Sequence, residues 1–198
     1  MNLLFLHGWG FDASVWDGLR RALAPLETIT WDRGYFGQPI TAPVTGPTIA
    51  IGHSLGSLIL ASKLPPGCIG LIAINGFDRF VGDGAVPLRV IDRMRYRFGD
   101  APGEVLNAFR ARAGAVAVDG KIDRERLADD LDLLATGDVR GAARPRLVLQ
   151  GDEDPILPPE MREAVFCGAP RATLAGAGHL LPLTHPDWCA AQIRAVLP

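Results

Sequence analysis

The pentapeptide from Gly52 to Gly56 constrains this chain more than any other stretch, because it reads Gly-His-Ser-Leu-Gly. The apolar residues 47–51 before it are typical of a short buried strand, and residues 55–64 after it are typical of a helix. Gly-x-Ser-x-Gly between a strand and a helix predicts a sharp turn that exposes the serine hydroxyl, a nucleophile elbow. Ser54 is therefore the candidate nucleophile, and the alternative is a serine that only caps the helix.

Strands and helices alternate along the chain, which predicts an α/β fold with a mostly parallel sheet flanked by helices. The predicted strands are residues 3–6, 28–32, 47–51, 69–74, 146–150 and 171–175. The predicted helices outside the longest connection are 15–24 (capped by Ser14), 55–64, one from Pro158 or Pro159 to 167, and 186–196. A chain of 198 residues fits one domain, over residues 1–198.

Residues 77–144 differ in character, because they carry no strong strand signal between two predicted strands. We call this segment the helical insertion. An apolar stripe at helical spacing predicts its first helix, at Leu88, Ile91, Met94 and Phe98. A second helix is expected at 102–113, and a third after Asp123 as its cap, with inward positions at Leu127, Leu131 and Leu134.

Composition excludes several classes of function. The net charge of −2 gives no electrostatic basis for binding nucleic acid. Three scattered cysteines are too few for a disulfide framework or a zinc site, and we expect no metal and no cofactor. The sequence shows no signal peptide and no apolar run of membrane length, so we expect a cytoplasmic protein without a membrane partner.

Three polar residues follow three predicted strands, at the edge where parallel α/β sheets keep their sites. They are Ser54, Asp154 and His179, and their order along the chain is the one expected for a nucleophile, acid and base on this architecture. Ser54 would attack a carbonyl carbon, His179 would take and return the proton, and Asp154 would orient the imidazole. Asp152 and Asp78 are the alternative acids.

Two backbone N–H groups are expected to form an oxyanion hole. Leu55, the residue after the nucleophile, supplies one, and Trp9 in the loop after the first strand supplies the other. The alternative for this loop, His7-Gly8-Trp9-Gly10, is a tight turn with a tryptophan in the core. We expect His7 to support the loop.

The motifs together resemble those of the α/β-hydrolase superfamily. They are His7 to Gly10 with Val15-Trp16, Gly52 to Gly56, Gly151 to Pro155, and Gly178-His179 ahead of His185-Pro186. Within that superfamily, the His-Gly-Trp-Gly loop resembles the pimeloyl-acyl-carrier-protein methyl ester carboxylesterases of biotin synthesis. The resemblance implies a trimmed α/β-hydrolase fold, because the usual opening hairpin and the helix expected at 33–46 are missing. Ser57 also stands where many relatives have glycine.

The resemblance also implies that the helical insertion forms a lid that shapes substrate choice. Arg89, Arg93 and Arg97 lie at i, i+4 and i+8, which places three guanidinium groups on one helical face. We interpret this face as a docking surface for an acidic partner, such as an acyl-carrier protein. The alternative is an ordinary solvated helix face. Trp9 and Phe77 complete the predicted substrate-binding residues.

The sequence therefore predicts a serine carboxylic-ester hydrolase that works through an acyl-enzyme, and the resemblance implies a pimeloyl-acyl-carrier-protein methyl ester as its specific substrate. A general short-chain carboxylesterase or a thioesterase would use the same three residues. A protein of another class, which binds a ligand on this fold without catalysis, is the remaining alternative.

Overall fold

A computed structural model describes all 198 residues, which form a six-stranded parallel sheet with helices on both faces. The strands are β1 (Asn2–Leu6), β2 (Glu27–Trp31), β3 (Thr48–His53), β4 (Cys68–Ile74), β5 (Leu147–Gly151) and β6 (Arg171–Leu174), in the order β2-β1-β3-β4-β5-β6. The helices are α1 (Asp17–Ala22), α2 (Leu55–Ser62), α3 (Leu88–Asp100), α4 (Pro102–Ala113), α5 (Arg124–Thr136), α6 (Pro159–Ala164), α7 (Leu181–Thr184) and α8 (Pro186–Val196).

The central strands β1, β3, β4 and β5 are mostly buried on both faces because they are apolar at successive positions, whereas the edge strands β2 and β6 are only partly buried. Side chains alternate between the faces of a strand, so Leu3 and Phe5 of β1 pack into one core and Leu4 and Leu6 into the other. The first core includes residues of α1 and α8, and the second includes residues of α2 and of the helical insertion. Because all strands are parallel, their carboxyl ends lie at one edge of the sheet, where the candidate residues are found.

The helical insertion forms α3, α4 and α5, as predicted. Asp123 caps α5 by accepting a hydrogen bond from the backbone N–H of Arg126 at 3.0 Å. The three predicted inward leucines of α5 are buried. The apolar stripe predicted α3 correctly, and of its residues Ile91 and Phe98 are buried, whereas Leu88 at the first position of the helix is 49% exposed.

Three further details differ from the sequence predictions. Asp12, not Ser14, caps the first helical segment, because its carboxylate accepts the Ser14 backbone N–H at 2.8 Å. That segment is also divided, since a 3₁₀ turn at Ala13–Trp16 precedes α1. The short helix α7 has no counterpart among the predictions, because its four residues are too few to show a helical period.

Residues 33–46 contain no helix, as expected from their glycines and prolines. This segment packs along β2 at the edge of the sheet. Asp32 and Ile40 exchange two backbone hydrogen bonds, and the Trp31 indole N–H donates to the Ala42 carbonyl at 2.8 Å. None of the eight helices has both the length and the apolar character that a membrane span requires.

Candidate active site

Ser54 lies on a strained turn between β3 and α2. Its φ of 52° and ψ of −123° are unusual for a residue with a side chain, and such strain is found mainly where function requires it. The Ser54 side chain makes no capping hydrogen bond to α2, so the capping alternative does not describe this serine. The Ser54 hydroxyl is therefore not used as a helix cap.

The two glycines of the pentapeptide are required by close backbone approaches. A Cβ on Gly52 would lie 2.4 Å from Ser57 Cα, and a Cβ on Gly56 would lie 2.2 Å from the Leu6 carbonyl oxygen. Real Cβ atoms do not approach other atoms so closely. Gly52 therefore lets the first turn of α2 pack on the end of β3, and Gly56 lets it pack on the end of β1.

Asp154 and His179 form a buried pair at the carboxyl end of β5 and after β6. The His179 Nδ1–H donates to Asp154 Oδ2 at 2.8 Å, and neither side chain is exposed. The other carboxylate oxygen accepts the backbone N–H groups of Ile156 and Leu157 at 2.8 and 3.2 Å. Burial by itself raises the pKa of Asp154, but attraction to His179 and these hydrogen bonds outweigh it, so the pKa lies below its ordinary value.

The pair fixes which nitrogen of His179 is free to act as a base. Because Nδ1 carries the proton that Asp154 accepts, Nε2 is the bare nitrogen, and it has no hydrogen-bond partner. Ser54 Oγ makes no hydrogen bond to it in this structure. Catalytic hydrogen bonds are often long before substrate binds. Ser54 is 4% exposed and His179 is 0% exposed, so both lie beneath the surface.

His53, the residue before Ser54, contacts His179 directly. The His53 Nε2–H donates to the backbone carbonyl of His179 at 2.9 Å, and the two rings lie 4.9 Å apart. Complete burial, together with repulsion from His179, lowers the pKa of His53 to about 3. His53, which precedes Ser54 in the chain, is therefore neutral and donates a hydrogen bond to the backbone of the candidate base His179.

The loop after β1 lies directly against Ser54, where the second oxyanion donor was predicted. A Cβ on Gly8 would lie 2.8 Å from Ser54 Cβ. The His7 Nδ1–H donates to the Gly8 carbonyl at 2.9 Å, and its Nε2 accepts the backbone N–H of Arg33 at 3.0 Å. The backbone N–H of Trp9 donates to no other group, and that of Leu55 starts α2 and has no partner within the helix.

The two alternative acids lie in other surroundings. Asp152 accepts the backbone N–H of Gly176 at 2.7 Å and so stabilises a turn. Asp78 accepts the backbone N–H of Phe166 at 3.0 Å. Neither carboxylate bonds to His179, and Asp154 is the one that does.

The sequence analysis did not identify two residues that support the site, Asn75 and Ser57. Asn75, which is buried at φ 44°, donates its amide N–H to Asp154 Oδ2 at 2.8 Å. The Ser57 hydroxyl donates to the Ser54 carbonyl at 2.6 Å and accepts the backbone N–H of Phe77 at 3.1 Å. The signals were a polar residue directly after β4 and a serine directly after the pentapeptide.

The predicted substrate-binding residues separate into two groups. Trp9 and Phe77 are buried, and the Trp9 indole N–H donates to the Leu127 carbonyl at 2.8 Å. Arg89, Arg93 and Arg97 are exposed and line one groove of about 330 Å³, which we call the arginine groove. Its other lining residues are Val90, Met94, Val105, Ala108, Phe109 and Arg112.

The arginine groove joins an apolar pocket of about 150 Å³. The two share four lining residues, Val90, Met94, Phe109 and Arg112. Phe109 in turn packs edge-on against Trp9, with ring centroids 5.0 Å apart. The arginines and the loop beside Ser54 are thus linked through one aromatic side chain, although neither cavity reaches Ser54 itself.

Comparison with known proteins identifies the family. The profile of the Alpha/beta hydrolase family matches residues 30–192, and the chain belongs to this family. A pimeloyl-[acyl-carrier protein] methyl ester esterase of Aromatoleum aromaticum is 29% identical over 99% of this chain and 98% of that protein. The biotin biosynthesis bifunctional protein BioHC of Cellvibrio japonicus is 25% identical over 97% of this chain. That match covers 46% of the relative, so the chain spans about half its length.

The same fold is found among solved structures. A thermophilic esterase from Thermogutta terrifontis, with malate bound, aligns with a TM-score of 0.76 at 20% identity, over 98% of this chain and 88% of that one. The predicted α/β-hydrolase fold is therefore confirmed, and so is the prediction of an enzyme of the esterase and hydrolase class. The resemblance to the pimeloyl-acyl-carrier-protein methyl ester esterases is also confirmed, at low identity.

Proposed function

We propose that the chain is a serine carboxylic-ester hydrolase that demethylates a pimeloyl-acyl-carrier-protein methyl ester. One observation carries the catalytic part. The buried Asp154–His179 pair leaves His179 Nε2 without a partner, and the His179 backbone accepts a hydrogen bond from His53, the residue that precedes Ser54 on its strained turn. A nucleophile, a base and an orienting acid in that arrangement suit acyl transfer.

Each residue has one role in this mechanism. Ser54 Oγ attacks the ester carbonyl carbon while its proton passes to His179 Nε2, and Asp154 stabilises the resulting imidazolium. The Trp9 and Leu55 N–H groups hold the oxyanion. The C–O bond then breaks, methanol leaves with the proton from His179, and an acyl-enzyme remains. Water, deprotonated by the same imidazole, releases the acid and restores Ser54.

The arginine groove supports an acidic carrier as the partner. Arg89 and Arg93 make no ion pair, and Arg97 reaches only an exposed Glu104 at 3.5 Å. No acidic side chain lines the groove, so the guanidinium groups of Arg89 and Arg93 remain available for phosphate or carboxylate groups. The relatives named as pimeloyl-[acyl-carrier protein] methyl ester esterases add to this support.

The triad is tested by single substitutions assayed on a p-nitrophenyl ester. Ser54→Ala and His179→Ala should each lower kcat by about 10⁴-fold or more, because the residues act as a unit. Asp154→Asn should lower kcat by about 10⁴-fold through the wrong imidazole tautomer. Asp152→Asn is the matched control and should stay near the wild-type rate. Near-normal turnover in Ser54→Ala would remove the catalytic proposal.

The carrier is tested by comparing two substrates, the methyl pimeloyl thioester on acyl-carrier protein and a free p-nitrophenyl ester. Arg93→Glu should lower kcat/KM for the carrier-bound ester by about tenfold and leave the free ester unchanged, because the reversed charge repels an acidic partner. Arg21→Glu, an exposed reversal on α1, is the control for net charge. Equal losses in both variants would indicate an effect of net charge alone, and equal use of both substrates with no effect of Arg93→Glu would indicate a general esterase or thioesterase. No turnover of either substrate by the wild type would indicate a ligand-binding protein.

A further inference from the structure

Arg110 is a buried cation that no carboxylate neutralises. It lies in the last turn of α4, is 9% exposed, and forms no ion pair. Burial lowers the pKa of its guanidinium, and only Asp12 opposes this effect from a distance. A buried charge without a partner is unfavourable, so its position calls for an explanation in terms of its contacts.

Those contacts lead to the loop that carries the proposed oxyanion donor. Arg110 Nη1–H donates to the Gly10 carbonyl at 2.6 Å, and its Nε–H donates to the Val116 carbonyl at 2.9 Å. The guanidinium lies over the rings of Phe11 and Phe36, at 5.0 and 5.8 Å from their centroids. These contacts therefore fix both the plane of the guanidinium and the direction of its N–H groups before any substrate binds.

The loop needs such a restraint because glycines flank Trp9 on both sides. Gly8 and Gly10 have the largest backbone freedom of any residue type, and Gly10 sits at φ +75°. His7 fixes the Gly8 carbonyl, which belongs to the same planar peptide as the Trp9 N–H. Arg110 fixes the carbonyl of Gly10, the residue that follows Trp9. The Trp9 N–H thus lies between two anchored carbonyl groups.

We propose that Arg110 is a positioning residue for the oxyanion hole, which it serves by anchoring the Gly10 carbonyl and so directing the Trp9 N–H toward the reacting carbonyl. The helical insertion then contributes to the chemistry as well as covering the site. This inference rests on the proposed hydrolase function. It assigns Arg110 a task apart from that of Arg112, two residues later, which faces the arginine groove.

The test compares Arg110→Met with Arg124→Met. Arg124 also bonds a carbonyl within the helical insertion, that of Gly99 at 2.8 Å, but lies away from the loop. On a p-nitrophenyl ester, Arg110→Met should lower kcat by about 10- to 100-fold, as expected for a misplaced oxyanion donor, with KM within about threefold of wild type. Arg124→Met should keep wild-type values.

A transition-state analogue separates positioning from a merely structural role. Ser54 adds to the carbonyl of a trifluoromethyl ketone and forms a tetrahedral oxyanion, which mimics the transition state. The matching methyl ketone stays unreacted and mimics the ground state. Arg110→Met should lose affinity for the first by about the same factor as kcat/KM and keep its affinity for the second. Equal kcat in the two methionine variants, or lost kcat with unchanged trifluoromethyl ketone affinity, would overturn the inference.

Two controls keep the outcome decisive. If Arg110→Met does not fold, Arg110→Lys takes its place, since lysine cannot reach both carbonyls in one plane. Reduced kcat and reduced trifluoromethyl ketone affinity in that variant support the role, and wild-type values overturn it. If wild-type turnover itself is absent or survives Ser54→Ala, the hydrolase function has failed, which is a distinct result from a failure of Arg110.

Discussion

His53 should make the fold sensitive to mild acid. In the folded chain its imidazole is completely buried and neutral, with a pKa of about 3 against an ordinary value of 6.5. The unfolded chain exposes the same imidazole to water, where it protonates near pH 6.5. As the pH falls, His53 is therefore protonated in the unfolded chain before it is protonated in the folded chain.

The sign and size of the effect follow from that difference. Because the folded pKa is depressed, the stability contributed by neutral His53 is complete above pH 6.5 and is lost as the pH falls toward 3. Each pH unit within this window corresponds to about 1.4 kcal/mol. Between pH 7.5 and pH 5 the expected loss is about 2 kcal/mol. The lowered pKa of Asp154 acts at more acidic pH, below its ordinary value of 3.8.

The measurement is the free energy of unfolding by urea at pH 7.5 and pH 5, for wild type and His53→Gln. Glutamine keeps an N–H donor at about the reach of Nε2 but does not titrate, so the variant should lose about 2 kcal/mol less than wild type. His185→Gln, which alters an exposed imidazole, should follow wild type. Equal losses in wild type and His53→Gln would refute the argument from burial.

Two further predictions concern stability and share the same denaturation assay. Gly56→Ala should destabilise the fold by about 3 kcal/mol, because the added Cβ would meet the Leu6 carbonyl oxygen. Gly99→Ala, in open space on α3, should instead stabilise the fold by about 0.5–1 kcal/mol. Similar changes in the free energy of unfolding for both variants would contradict the close contact at Gly56. Asp130→Ala should cost about 3–5 kcal/mol, since Asp130 is 2% exposed and accepts hydrogen bonds from Arg33 and from the Tyr35 hydroxyl. The exposed neighbour Asp129→Ala should change stability by less than about 0.5 kcal/mol, and an equal effect of the two would contradict the role of the buried network.

The fold could be predicted from the sequence because its signals are local. The central strands are short, mostly apolar runs, and a parallel sheet carries the carboxyl ends of its strands to one edge. Ser54, Asp154 and His179 each follow a strand, so their placement at one edge required only strand order and direction. The same reasoning could not find α7, since four residues contain hardly more than one helical turn.

The supporting contacts of the site could not be predicted, because they depend on how distant segments are aligned. Asn75 reaches Asp154 only because β4 and β5 are neighbours in register, as the Asn75 N–H to Leu149 carbonyl bond of 2.8 Å shows. Arg110 and Arg112 are indistinguishable in sequence character. One lies beneath the loop after β1 and the other lines the arginine groove, since residues two apart lie on different sides of a helix.

These contacts also constrain how a substrate can reach Ser54. Lifting α4 and α5 away as a rigid lid would break the Arg110 bond to Gly10 and the Trp9 indole bond to Leu127, and so would release the loop that carries the Trp9 N–H. Rotation of Phe109, which separates the apolar pocket from Trp9, would leave both bonds in place. Access by side-chain rotation is therefore the route that keeps the oxyanion donor aligned while the ester enters. It follows that Phe109→Ala should lower KM or leave it unchanged without the loss of kcat expected for Arg110→Met.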